Sequence, residues 1–426
     1  MIKVYIEKNP VFFPEVKYIW NLFCSNKKIN YLESDNVEDA EFKIGISEDS
    51  HLKVQIDLYA SLIEKKPSVD LFERNGGYIL LQDGTKDLLA TAFFMVSCAQ
   101  ELGSLIRDEY DRFPYKESYQ YRMKNYQKNL VQDCFDALLN SFEILRIQSA
   151  VQILPSQVFI SHDIDTVYGS LLQDTFYTVK DLNFRGFFKC IFSNILQKAQ
   201  WLNIDRILKI EENAKVNSTF FWLPVKGQSE FDVMNADYDI QSSIIKDEIN
   251  LVTKKGGTNG IHKSISKFTF EEEIKQFEHN VIVNRYHFLA FNPHSDFIKI
   301  EEAGIQVDSS LAYAESFGFR NNYALPYHPY LFTERRAANF IECPLNVMDT
   351  TFFNYKKMKA ADAYKTICNF IDQNKSNAII SLLWHNNFIS DYKYRDYYRT
   401  YLDLLNYLNE NNLNSIDPEN IIKKFK

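Results

Sequence analysis

From Val158 onward, short apolar runs alternate with helical stretches, and this rhythm restricts the chain to few folds. The strand-like runs are Val158–Ile160, Ser218–Leu223, Asn259–Ile261, His287–Phe291, Gly304–Val307, Phe340–Cys343 and Ile379–Trp384. Helical segments such as Ile204–Lys215, Phe270–Val283 and Ala360–Gln373 lie between most of them. Strand, helix, strand is the pattern of a parallel sheet, because a parallel crossover needs a dozen or more residues. Over residues 155–426 it predicts an α/β fold, a distorted (β/α) barrel of about seven strands. In such barrels the chemistry sits where strands end and loops begin, so the polar residues just after the apolar runs are the ones to read.

Residues 1–154 read as a separate small α/β domain with no role assigned by the sequence. Val4–Ile6, Phe42–Ile46, Val54–Ile56 and Tyr78–Leu81 are strand-like, and Leu88–Leu102 and Asn129–Ile147 are helical. The boundary is placed at Leu154-Pro155-Ser156, where proline stops regular structure.

Composition excludes several classes. The chain has 426 residues, 46% hydrophobic and 24% charged, enough to bury a real core. A net charge of −8 argues against a nucleic-acid partner, which would require a basic face. Six scattered cysteines without a C-x-x-C pair read as free, mostly buried thiols. Met1–Lys8 reads as a short strand, not a signal peptide, so the expected location is the cytoplasm, with the inner face of a membrane left open.

Four strand ends carry chemistry. Val158–Ile160 runs into Ser161-His162-Asp163-Ile164-Asp165, where two carboxylates two apart project to one side of an extended chain. A divalent metal on one, with the other free as a base, relieves their repulsion. A turn or a helix N-cap uses the same residues. Gly260-Ile261-His262-Lys263-Ser264 places a histidine after an apolar run. In Arg285-Tyr286-His287, Arg and His alternate at a strand start. Ile379–Trp384 leads into His385. A lone histidine of this kind is often only hydrogen-bonded; several on one rim point to a site.

With these motifs in order, residues 158–390 resemble the polysaccharide deacetylases, carbohydrate esterase family 4. Asp163-Ile164-Asp165 resembles the first family motif, and Ser218-Thr219-Phe220-Phe221 its T-F-F strand. Gly260–Ser264 resembles the metal-binding second motif, Arg285 the third-motif arginine, and Leu382–Asn386 the last motif. Asp308-Ser309-Ser310 with Gly318-Phe319-Arg320 resembles the region between. Residues 86–115 resemble the α/β domain that precedes the deacetylase domain in a bacterial subset.

The resemblance implies a metal-dependent removal of N-acetyl groups from a sugar or polysaccharide precursor. Asp163 would be the general base, Arg285 its holder and His385 the general acid. Asp165 and His262 would bind a divalent metal, zinc by ligand chemistry. The family's second metal histidine, four residues after the first, is here Ser266. His287, two residues past Arg285, is the expected replacement, and His294 the second choice. Ser264, Trp384 and Arg320 are assigned to the substrate side, with barrel core as the alternative for Trp384 and a structural salt bridge for Arg320. Two other functions stay open: a degenerate deacetylase acting as a glycan-binding scaffold, and a small-molecule amide hydrolase on the same barrel. The segment between Asp165 and Asn217, with Phe187, Phe188, Lys189 and Trp201, is either a packed insertion or a lid. As a lid it would leave peripheral contact with a membrane or a lipid-linked glycan open.

Overall fold

The computed structural model describes residues 1–66, 77–150, 155–169, 171–180, 184–195, 201–391 and 393–425. The chain divides into two compact units. One comprises Met1–Leu154 together with residues 292–298 and 319–339. The other comprises Pro155–Phe291, Lys299–Gly318 and Phe340–Lys426.

The first unit is built on a parallel sheet of β1 (Ile2–Ile6), β2 (Tyr31–Glu33), β3 (Phe42–Gly45) and β4 (Leu52–Lys53), ordered β2-β1-β3-β4. Ile2, Val4 and Ile6 are buried in alternation, as one face of a strand must be. Helix Leu88–Val96 is buried from Leu89 to Val96, so it forms this unit's core. Asp87 caps it, accepting from the Ala90 N–H at 2.8 Å. Two strand expectations differ from the fold. Val54–Ile56 leads instead into helix Ile56–Ile63, because the Gln55 side chain caps it by accepting from the Asp57 N–H. Tyr78–Leu81 supplies only a bridge between Leu80 and Lys86. β10 (Tyr330–Leu331) and β11 (Arg336–Ala337) form a small antiparallel pair here.

The second unit is a curled parallel sheet. Its strands are β5 (Gln157–Ile164), β6 (Ser218–Trp222), β7 (Thr258–Lys263), β8 (Val283–Tyr286), β9 (Val307–Asp308), β12 (Ile341–Glu342), β13 (Leu345–Met348) and β14 (Ile379–Leu383). Their order is β12-β9-β8-β7-β6-β5-β14-β13. The two edge strands are consecutive in the chain, three residues apart from Glu342 to Leu345. Three residues span at most about 11 Å, so the sheet must curl until its edges nearly meet. Counting β12 and β13 as two parts of one stave leaves seven staves around the barrel. Within β7, a Cβ at Gly260 would lie 2.8 Å from the Phe221 ring and 2.9 Å from the Val283 carbonyl. Glycine is what lets β6, β7 and β8 pack at that point. The run expected as a strand at His287–Phe291 is a turn: β8 ends at Tyr286, and Phe288 and Leu289 adopt left-handed φ of 55° and 53°.

Candidate active site

Because the strands are parallel, their C-terminal ends share one rim. In β5, alternation sends Ser161 and Asp163 to one side and His162 to the other. His162 is fully buried, with Nε2 2.8 Å from Glu211 and Nδ1 2.6 Å from the Trp384 carbonyl. It is a structural histidine.

Arg285, fully buried in β8, organises the centre. Its Nη1 donates to Asp163 Oδ1 at 2.8 Å and to Ser161 Oγ at 2.9 Å. Its Nε donates to the Ser309 carbonyl at 2.9 Å and its Nη2 to Ser309 Oγ at 3.1 Å. The guanidinium lies 4.4 Å from the centre of the Phe221 ring. Asp163 is therefore held at one oxygen by a charge-assisted bond, while Oδ2 faces His262 Nε2 at 3.5 Å.

Asp165, His262 and His287 converge, each with a ligand atom within 4.8 Å of the others. Asp165 Oδ1 is 3.3 Å from His262 Nε2 and 3.9 Å from His287 Nε2. Each imidazole is oriented from behind: His262 Nδ1 lies 2.9 Å from the Arg285 carbonyl, and His287 Nδ1 lies 3.2 Å from Asn235 Oδ1. A proton on each Nδ1 leaves an Nε2 lone pair directed at Asp165. Asp165 Oδ1 is buried and has no hydrogen-bond partner among the described residues. A carboxylate oxygen and two oriented imidazole nitrogens fit a divalent cation with positions left open.

The charges agree with this division. Burial would raise the Asp165 carboxyl, but the neighbouring imidazoles of His262, His287 and His385 outweigh it and hold it well below the carboxylate range. Burial opposes a proton on His262, yet Asp163 and Asp165 together raise it. A cation would displace that proton, as it does at any histidine ligand. His287 is pushed down to about 3, chiefly by burial.

His385 follows β14. Its Nε2 lies 3.7 Å from Asp165 Oδ2, and its Nδ1 lies 2.6 Å from Asp349 Oδ1. The His385 N–H also donates to Asp349 Oδ2 at 2.7 Å. Burial alone would lower His385, but Asp349 and then Asp165 and Asp163 raise it to about 10. Asp349 is a partner of His385 that the sequence reading missed. Its signal was an acid directly after the apolar run Leu345–Met348, a strand too short and too interrupted by Asn346 to be noticed.

Three of the expected substrate residues lie elsewhere or are enclosed. Trp384 is 1% exposed and packs on Tyr401 at 5.4 Å between ring centres, so it is barrel core and offers no stacking face. Arg320 lies in the first unit, fully buried, with Nε 2.9 Å and Nη2 2.6 Å from Glu101. It is half of a bidentate ion pair. Ser264 is buried, with its N–H on Glu273 at 3.0 Å and its Oγ without a hydrogen-bond partner among the described residues. His294, the second choice for a ligand, also lies in the first unit, with Nε2 3.0 Å from the Cys98 carbonyl. Ser266, where a second histidine was expected, donates to Glu273 at 3.0 Å. Asp308 accepts from Asn284 and Ser310, and Ser309 supports Arg285, so this trio is scaffolding.

Residues 3–145 match the model of a family of unknown function, DUF7033. No curated protein matches the chain. Among solved structures, the chain is similar to a Mycobacterium smegmatis protein assigned as a polysaccharide deacetylase, at 12% identity and a TM-score of 0.40 over 64% of this chain and 94% of that one. It is similar to a polysaccharide deacetylase from Bacillus cereus at 11% identity and a TM-score of 0.31, over 62% and 93%. It is also similar to the chitin deacetylase of the fungal pathogen Colletotrichum lindemuthianum, at 11% identity and a TM-score of 0.32, over 62% and 90%.

Proposed function

We propose that the second unit is a metal-dependent hydrolase of the carbohydrate esterase family 4 type, removing the N-acetyl group from a sugar used in bacterial polysaccharide or glycoconjugate synthesis. One observation carries the reading. A carboxylate held by Arg285 and an imidazole held by Asp349 flank a three-residue cluster suited to a divalent cation.

Asp165, His262 and His287 would hold that cation, which when bound supplies a Lewis acid for the amide carbonyl and acidifies a water. Asp163 acts as the general base. Its Oδ1 is tied to Arg285, so Oδ2 takes the water proton. Arg285 fixes the direction of the Asp163 carboxylate. His385 is the general acid. Its Nδ1 is committed to Asp349, so the proton for the leaving amine comes from Nε2. The water oxygen ends on the acetyl carbon, the C–N bond breaks, and acetate and a free amine result.

The test is acetate release by the purified full chain from N-acetylglucosamine oligomers and from nucleotide-linked N-acetyl sugars, with zinc, manganese or cobalt supplied. Release that Asp163→Asn abolishes is the expected result. A wild-type chain that binds metal stoichiometrically and releases no acetate from any of them overturns the reading. Ser266 supports a second reading, a degenerate deacetylase that binds glycan. It requires that the purified chain take up no stoichiometric divalent metal.

A further inference from the structure

The chain leaves the rim just after Asp165 and returns to it at Trp201. The Trp201 N–H donates to the Val167 carbonyl at 2.9 Å, so the excursion begins and ends at one point. The N–H groups of Val167 and Tyr168 are fixed by Asp237, at 2.8 and 3.0 Å. Two helices, Leu171–Lys180 and Phe184–Ile195, make up the described part of this excursion and pack on each other.

Their outer face is the reverse of what water selects. Phe184, Phe188 and Phe192 are each 68% exposed, and their spacing of four places them on one stripe of the helix. Phe176 and Val179, three apart on the neighbouring helix, are 62% and 57% exposed. Scattered single apolar residues are normal on a surface, whereas five large ones on two adjacent helices mark a contact face.

Charge identifies the partner. The two helices contain one acidic residue, Asp174, which is buried. They contain three basic residues, Lys180, Arg185 and Lys189, in a chain of net charge −8. Phenylalanines on helices that together carry three basic residues and one buried acid match the boundary layer of an anionic bilayer. Among the described residues no helix is long and apolar enough to cross a membrane, so the segment would lie on the surface.

We propose that helices Leu171–Lys180 and Phe184–Ile195 dock the protein on an anionic lipid surface. The excursion's root at Asp165 then brings the rim to that surface. If the deacetylase reading above holds, the substrate class is an N-acetylated sugar carried on a membrane lipid.

The test is flotation of the full chain with vesicles of phosphatidylcholine containing phosphatidylglycerol, against phosphatidylcholine alone. Flotation with the anionic vesicles, weakened by salt, is expected. The triple variant Phe184→Ser/Phe188→Ser/Phe192→Ser should lower partitioning on the order of 100-fold. All three residues are exposed, so its thermal melting should match wild type. Should the triple variant misfold, Phe188→Trp serves instead: its emission should shift to the blue on adding anionic vesicles. Asp163→Asn should float like wild type, which separates docking from catalysis. Absence of flotation and of a blue shift overturns the proposal, as does equal flotation of a folded triple variant. A wild-type dimer that the triple variant converts to monomer, without flotation, also overturns it and assigns the face to self-association.

Discussion

On the β14 side of the rim, His385 places its Nδ1 against the carboxylate of Asp349 at 2.6 Å; on the β8 side, His287 places its Nδ1 against the amide oxygen of Asn235 at 3.2 Å. Both rings turn Nε2 toward Asp165, at 3.7 and 3.9 Å, and both are nearly buried. The two imidazoles thus differ mainly in the charge of one acceptor behind them. The charged acceptor holds His385 protonated up to about pH 10, while His287, with a neutral acceptor, yields to burial and stays neutral down to about pH 3. A neutral imidazole is a ligand; a protonated one is an acid. Identical side chains in one cluster can therefore divide the work through their outer partners alone.

Four experiments break or sharpen this comparison. The largest effect should come from Asp163→Asn, which removes the proposed base common to both sides. Turnover should fall by about 10²–10⁴-fold with metal content unchanged, measured by acetate release and elemental analysis. Next, His287→Ala should strip stoichiometric metal from the protein, as should Asp165→Asn and His262→Ala, whereas His385→Ala should retain it. Equal metal loss in both histidine variants would erase the distinction between the two sides.

Asp349→Asn should act on His385 alone. The carboxylate raises the His385 pKa, so its loss lowers it, and the proton then leaves at a lower pH. The alkaline limb of the pH–rate profile should move down by roughly two units, so activity near pH 10 should fall about 10–100-fold while activity at neutral pH changes little. An unmoved limb would assign the acid elsewhere. The smallest effect is expected from Asn235→Asp, which gives His287 the partner that His385 has. Its imidazole should hold a proton to higher pH and compete with the metal. Metal affinity near pH 6 should weaken by about tenfold and recover as pH rises, by competition titration.

The alternation of apolar runs and helices after Pro155 was enough to read the barrel, because a parallel strand buried on both faces is apolar throughout. What escaped reading was the seam. Leu345–Met348 contains Asn346 and follows Pro344, so it looks like a loop, although all four residues are buried. With that strand went Asp349. Asp163, Asp165, His262 and His385 were legible because each lies at or just past the end of an apolar run; Arg285 and His287 were read from their alternation at an expected strand start, and the structure brings all six to one rim. Arg320 and His294 were not, because residues 292–298 and 319–339 belong to the first unit, and nothing local in sequence marks such a return. Trp384 was ambiguous from the start: on a strand's last turn, an indole can face a cleft or a helix, and here it faces Tyr401.

The neighbours of β5 have a consequence for how the protein is made. The strand that ends in Asp163 pairs on one side with β6, about sixty residues later, and on the other with β14, whose Ile379 meets Gln157. A ribosome adding about 5–20 residues per second therefore leaves one side of β5 unpaired for roughly 10–45 s. During that time the carboxylates are present but His385 has not been synthesised, so a nascent or truncated chain cannot complete the rim. The interval also exposes a hydrophobic strand edge to neighbouring chains on the same message.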